Sequence, residues 1–335
     1  MKYEDIIKEI KNKKYHPIYF LSGEESYYID VISNYLEKEV LEDDQKDFNL
    51  NVMYGRDVDC AEIVTAAKRF PMMSDTQVVV VKEAQNVKSF DNLKTYIENP
   101  LKSTVLVICY KHKKLDKRTA WGKLISSSSN VAFLETKKLY ENQLPEWIVK
   151  YCKSQGYEIE AKASFLLVES VGADLSRLHN ELDKLFLNVK KGDKINADAI
   201  EKYIGISKDY NVFELTNAIG KRDIVKINKI VNYFVANSKD ASIYIVIGVV
   251  LNYFTALLSY TFIKEKNDKF TLAKKMGVSP YFVADYIAAS KIYNPRKVVE
   301  NISVLREFDM KTKGVGVSGV SRGELLKEMM YKITH

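Results

Sequence analysis

Cysteine is scarce in this chain: 335 residues hold three, Cys60, Cys109 and Cys152, far apart and with no Cys-x-x-Cys pair. That spacing leaves neither a zinc site nor a disulfide framework and fits a reducing cytoplasm. Histidine is nearly as rare, and His16, His112, His179 and His335 include no pair four residues apart that could grip a metal. No G-x-S-x-G elbow occurs, and no nucleophile, base and orienting group can be grouped into a catalytic set. Prolines (six) and glycines (14) are few. Lysine is abundant, so long charged helices are expected. The opening MKYEDIIKEIKNKK reads as a helix with a polar face, not as a signal-peptide core.

What is present is a globular composition, 46% hydrophobic and 28% charged, over a length sufficient for two or three domains. The net charge of +7 suits an anionic partner without demanding one. A single stretch, Ala241 to Ile263, carries no charge and could span a bilayer. Asn252 at its centre favours a helix buried among other helices.

Hydrophobic patterning divides the chain. Over residues 1–140, short apolar runs alternate with amphipathic segments. The runs are Ile18 to Leu21, a segment from Phe48 to Gly55, Val78 to Val81, Val105 to Cys109 and Val131 to Leu134. Uninterrupted runs predict strands covered on both faces, hence a parallel α/β sheet. After Leu139 the strands are expected to stop. Residues 141–210 read as a small all-α domain, with Pro145 in a first turn and Asp174 as a helix cap. Residues 211–335 read as a second helical domain.

The first strand is where a phosphate-binding loop would follow in an ATPase, as G-x-x-x-x-G-K-[ST]. Here Ser22-Gly23-Glu24-Glu25-Ser26 offers one glycine, no lysine and two carboxylates that repel phosphate. Glu83 stands alone after the third strand, without the paired acids that would hold magnesium. Gly314-Val315-Gly316-Val317-Ser318-Gly319 satisfies a dinucleotide pattern but lacks a preceding strand, so it reads as a helix connection.

Two segments suggest binding. KHKKLDKR, Lys111 to Arg118, packs six basic residues, His112 included, into eight positions. Lys113, Lys114, Lys117 and Arg118 are its candidates for DNA contact, against the plainer reading of a solvated loop. The other segment is Phe70-Pro71-Met72-Met73, between a helix and the valine-rich strand. Such residues ordinarily plug a core. Exposed, they would form an adaptable apolar knob for a partner's pocket.

In several places, in order, the chain resembles the DNA polymerase III delta subunit family. The matching segments are HPIYFLSGEESYYID, PMMSDTQVVVV, KLDKRTAWGKL, GADLSRLHNELDKL and NVFELTNAIGKRD. The resemblance implies an AAA+-like (RecA-type) domain over 1–140 without a functional phosphate loop, a small helical lid domain over 141–210 and a helical collar domain over 211–335. It implies a cytoplasmic, non-catalytic clamp-loader subunit that binds and opens the sliding clamp. Partner subunits would hold the ATP, the third domain would join those subunits, and primed DNA would enter the assembled complex, with no membrane. By position, Met72 and Met73 would enter the clamp, assisted by Phe70 and Pro71. The family usually has leucine or phenylalanine there. An inactive loader subunit of the delta-prime type is the alternative, although its cysteine cluster and Ser-Arg-Cys motif are missing. An atypical nucleotide hydrolase is the more distant one.

Overall fold

The computed structural model describes residues 1–90, 93–205, 207, 209–237, 242–264, 268–317 and 319–335, with the side chains of residues 169, 170 and 242 left out. Ala241, at the head of the uncharged stretch, and Ser318, in the glycine-rich stretch, lie outside the described residues. The chain forms two compact units, Met1–Leu139 and Tyr140–His335.

The first unit is a five-stranded sheet with helices on both faces. Its elements run α1 (Tyr3–Lys11), β1 (Ile18–Gly23), α2 (Ser26–Glu39), α3 (Asp43–Asn49), β2 (Leu50–Tyr54), α4 (Cys60–Ala67), β3 (Gln77–Lys82), α5 (Leu93–Glu98), β4 (Thr104–Lys111), α6 (Ala120–Ser127) and β5 (Val131–Thr136). All strands are parallel in the order β2-β3-β4-β1-β5, with Ile18 opposite Leu106 on one side and Val131 on the other. Side chains alternate across a strand, so one run feeds two cores. Tyr19, Leu21, Val78 and Val80 pack with Ile6, Ile29 and Ile32 of α1 and α2. Phe20, Val79, Val81 and Ile108 pack with Ile63, Leu93 and Ile125 of α4, α5 and α6. The α/β reading therefore holds. One boundary does not: Phe48 and Asn49 end the helix α3, and the strand starts at Leu50.

The second unit contains α7 (Leu144–Ser154), β6 (Glu158–Ile159), α8 (Ala161–Val171), α9 (Leu175–Asn188), β7 (Lys194–Ile195), α10 (Ala197–Ile204), α11 (Val212–Lys221), α12 (Ile224–Asn237), α13 (Ser242–Phe262), α14 (Lys269–Met276), α15 (Val283–Ile292), α16 (Pro295–Thr312) and α17 (Arg322–Thr334). The strands β6 and β7 pair in parallel, contrary to the expectation that strands end at Leu139. Two residues each are too few to show a period in sequence. Asp174 caps α9 by accepting from Arg177 N–H, and Pro145 opens α7, both as expected. Arg222, in a left-handed conformation, ends α11 and separates it from α12.

The stretch α13 is long and apolar enough to cross a membrane, with mean hydropathy 1.8 over Ile243–Phe262. Its Val246, Val250, Phe254 and Leu257 lie in one core with Leu215, Ile230, Leu305 and Met329. Burial among helices accounts for the apolar character of that face, while Ile245 and Phe262 are exposed.

The three cysteines are buried thiols outside any disulfide. Burial pushes the Cys109 and Cys152 thiols up to about 12. Both stay protonated at neutral pH and hidden from reagents, so neither should alkylate in the native protein. The check is iodoacetamide labelling followed by mass spectrometry: labelling only after denaturation is expected, and rapid native labelling of Cys109 would contradict the packing.

A buried carboxylate ties α8 to α11 and α12. Glu214 is buried, with Lys162 Nζ at 2.7 Å and Lys226 Nζ as a second partner. Burial alone would raise its pKa, but the bonds from the two lysines outweigh it and hold the carboxyl below its usual range. A depressed acid stabilises the fold above its unfolded pKa and loses that contribution as pH falls through the folded value. Because both lysines reach solvent, Glu214→Ala should cost about 1–3 kcal/mol at pH 7, below the full value of a buried pair. The loss should shrink at an acid pH below that depressed value, where the parent acid is itself protonated. Urea unfolding at the two pH values measures it; a cost equal at both would sink the ion-pair account.

Candidate functional site

The end of β1 is closed by the chain itself. Gly23 N–H donates to Lys113 O at 3.1 Å and Glu24 N–H to Thr136 O at 3.2 Å. Glu25 N–H donates to Thr136 Oγ1 at 3.3 Å, while Thr136 Oγ1 donates to Glu25 O at 2.9 Å. A phosphate at this turn would need free backbone donors, and these three already have protein acceptors. The Glu25 carboxylate is buried and caps α2 by accepting from Tyr27 N–H. Glu24 faces Lys114 at 3.2 Å.

The basic segment lies against the same strand ends and is largely matched by acids. Lys111 faces Asp30 at 2.6 Å and Glu83 at 3.7 Å, and Lys117 faces Glu135 at 2.5 Å. Arg118 is held by Asp116 at 2.9 Å, whose carboxyl the Arg118 bonds push down to about 2. Of the four residues singled out in this segment, only Lys113 has no ion pair among the described residues. The segment thus serves in part to neutralise Glu24 at the loop and Glu135 near the end of β5, which composition alone could not reveal.

The apolar turn is on the surface. Phe70 is 77% exposed, Met72 60% and Met73 96%, with Pro71 half-buried, so these residues do not plug the core. Its two ends are tied down. The buried Gln77 side chain, at the start of β3, donates to Arg69 O at 2.5 Å and Ala66 O at 3.2 Å. Ser74 Oγ accepts from Thr76 N–H at 3.3 Å. From α3, Asn49 Oδ1 accepts from Met72 N–H at 2.7 Å and Asn49 Nδ2 donates to Met72 O at 2.8 Å. Met73 itself sits at φ +53°, a left-handed conformation uncommon outside glycine, asparagine and aspartate. Strain of this kind persists only where surrounding structure imposes it. Asn49 and Gln77 are functional candidates that reading the sequence missed. Their polar character in an apolar context was the available signal, but assigning Phe48 to a strand hid it.

A cavity of about 750 Å³ opens in the helical unit, lined among others by Phe165, Phe213, Tyr253, Phe282 and Tyr286. Asn252, singled out from sequence at the centre of the uncharged stretch, lines it, whereas none of the residues put forward for binding does.

Comparison with known proteins bears on both units. The family model described as DNA polymerase III, delta subunit, matches residues 19–135, and that of its C-terminal domain matches residues 209–330. The DNA polymerase III subunit delta of Bacillus subtilis is 26% identical over 323 residues, 92% of this chain and 91% of its own. The probable DNA polymerase III subunit delta of Aquifex aeolicus is 22% identical over 230 residues, 65% of this chain and 64% of its own. The solved structure of the Bacillus subtilis DNA clamp loader delta protein covers all of both chains at 22% identity with a TM-score of 0.56, a likeness of fold. With both of its parts matched by that family's models, one in the α/β unit and one in the helical unit, the chain belongs to the DNA polymerase III delta subunit family.

Proposed function

We propose that this chain is the clamp-binding arm of a replicative clamp loader. Met72 and Met73, with Phe70 and Pro71 beside them, enter an apolar pocket on the sliding clamp. By binding an open ring more tightly than a closed one, the arm shifts the ring toward opening, since only differential affinity can move that equilibrium. The observation that carries the reading is the turn itself: three large apolar side chains on the surface, on a backbone held in place from two elements. An exposed apolar cluster on a braced loop is what a partner's pocket requires.

The chain acts without nucleotide of its own, and ATP is held by partner subunits. The occupied donors at Gly23, Glu24 and Glu25 and the missing loop lysine support this. Residues 141–210 form the lid domain and residues 211–335 the collar that joins other loader subunits, in the cytoplasm and away from membranes. Primed DNA passes the assembled complex. Lys113 is its best contact from this chain, while Lys114, Lys117 and Arg118 would first have to leave their carboxylates.

The test is capture of the purified sliding clamp of the same organism by the immobilised full chain. Saturable capture without ATP is expected. No capture under conditions where the chain is folded would sink the proposal, as would ATP turnover by the chain alone that Gly23 or Glu24 variants abolish.

A further inference from the structure

Asn49 is 4% exposed and lies at the last position of α3, 23 residues before the turn it touches. Its amide meets the Met72 peptide unit on both sides, accepting from N–H at 2.7 Å and donating to C=O at 2.8 Å. The second amide hydrogen is used too, since Nδ2 also donates to Gln45 O at 3.1 Å, which fixes the side chain to its own helix. A side-chain amide thus reads a backbone amide as a neighbouring strand would. The next residue, Met73, holds its left-handed backbone with a side chain almost wholly in solvent. Nothing in its own burial favours that conformation. The favourable interactions sit on the residue before it.

We infer that Asn49 is the positioning residue of the clamp-binding turn: it presents Met72 and Met73 in the conformation that docks, and does not itself touch the clamp. The inference rests on the proposed function above. Among side chains of this size the chemistry is specific. Aspartate keeps the acceptor for Met72 N–H but cannot donate to Met72 O, and alanine does neither. Without the pair, Met73 is free to leave the left-handed region, and only the fraction of chains that still adopt it can dock. Apparent affinity falls by that fraction.

The experiment uses the full chain, the purified sliding clamp and three variants: Asn49→Ala, Asn49→Asp and the double variant Met72→Ser/Met73→Ser. Each is read by clamp Kd, by Tm and by hydrogen exchange at the Met72 amide. Asn49→Ala should weaken capture about tenfold, with Met72 amide exchange accelerated about as much, as expected for losing two modest hydrogen bonds. Exchange at Val79 and Val80 of β3 should stay slow, which a merely structural role would not predict. Asn49→Asp, the same size, should also weaken capture, and it decides the matter if Asn49→Ala fails to fold. Full affinity in either variant, with Met72 exchange accelerated, overturns the inference. So does Met72 exchange unchanged in Asn49→Ala. Capture lost in the double variant but kept in Asn49→Ala overturns this inference alone, whereas capture kept in the double variant overturns the proposed function and this inference with it.

Discussion

Replacing Met72 and Met73 together by serine will weaken clamp capture by about a hundredfold or more and leave the melting temperature nearly unchanged. The two effects separate because the residues contribute to different states. In the free chain their side chains are in water, Met73 almost completely, so the fold loses little apolar burial. In the complex each would be removed from water, and burying two methionines is worth about 3–6 kcal/mol before ordering is counted. Because Asn49, Gln77 and Ser74 already restrain the turn, the ordering cost is small. A net loss of about 2.7 kcal/mol corresponds to a hundredfold in Kd. Serine retains the hydrogen-bonded backbone at both positions, so Asn49 still has its partner. Titration calorimetry and thermal melts of the same preparations give both numbers. Unchanged affinity would remove these residues from the interface; a large fall in melting temperature would show that they support the fold.

Substituting Gly23 by alanine will destabilise the first unit by about 3–5 kcal/mol, the upper range for a single residue. Gly23 has φ +132°, a region essentially reserved for glycine. A Cβ there would lie 2.1 Å from Thr136 O and 2.3 Å from Thr136 Oγ1. Thr136 cannot retreat cheaply, because its hydroxyl and carbonyl also hold Glu24 and Glu25. Overpacking and backbone strain therefore add at one position. In a nucleotide-binding loop, glycine at this place would serve the approach of phosphate. Here it serves the approach of β5 to the end of β1. Urea denaturation of the variant measures the cost, and a loss below about 1 kcal/mol would mean that the turn can shift as a whole.

Much of the fold was legible because its signals are local. Val78 to Val81 could be read as a buried strand from four β-branched residues in a row, and the structure buries all four. The cap at Asp174, the proline of α7 and the uncharged α13 follow from rules that act within one or two turns. The short pair β6 and β7 was not legible, since its stability comes from a partner more than 30 residues away. Nor was the end of α3: Phe48 and Asn49 border an apolar run, and strand and helix patterns coincide over so few residues.

The chain's sequence by itself determined that strand one ends without a phosphate loop, that a parallel sheet precedes a helical region, and that Phe70, Met72 and Met73 cluster before the third strand. All three depend on residue type and order alone. Whether that cluster was core or surface, and whether the basic segment was free or neutralised, only the tertiary structure decided. Exposure of Met73 depends on what the rest of the chain leaves uncovered, and the ion pairing of Lys114 and Lys117 on carboxylates at residues 24 and 135. The hold of Asn49 on Met72 belongs to the same class, a contact between residues 23 apart whose partner the polar character of Asn49 does not name.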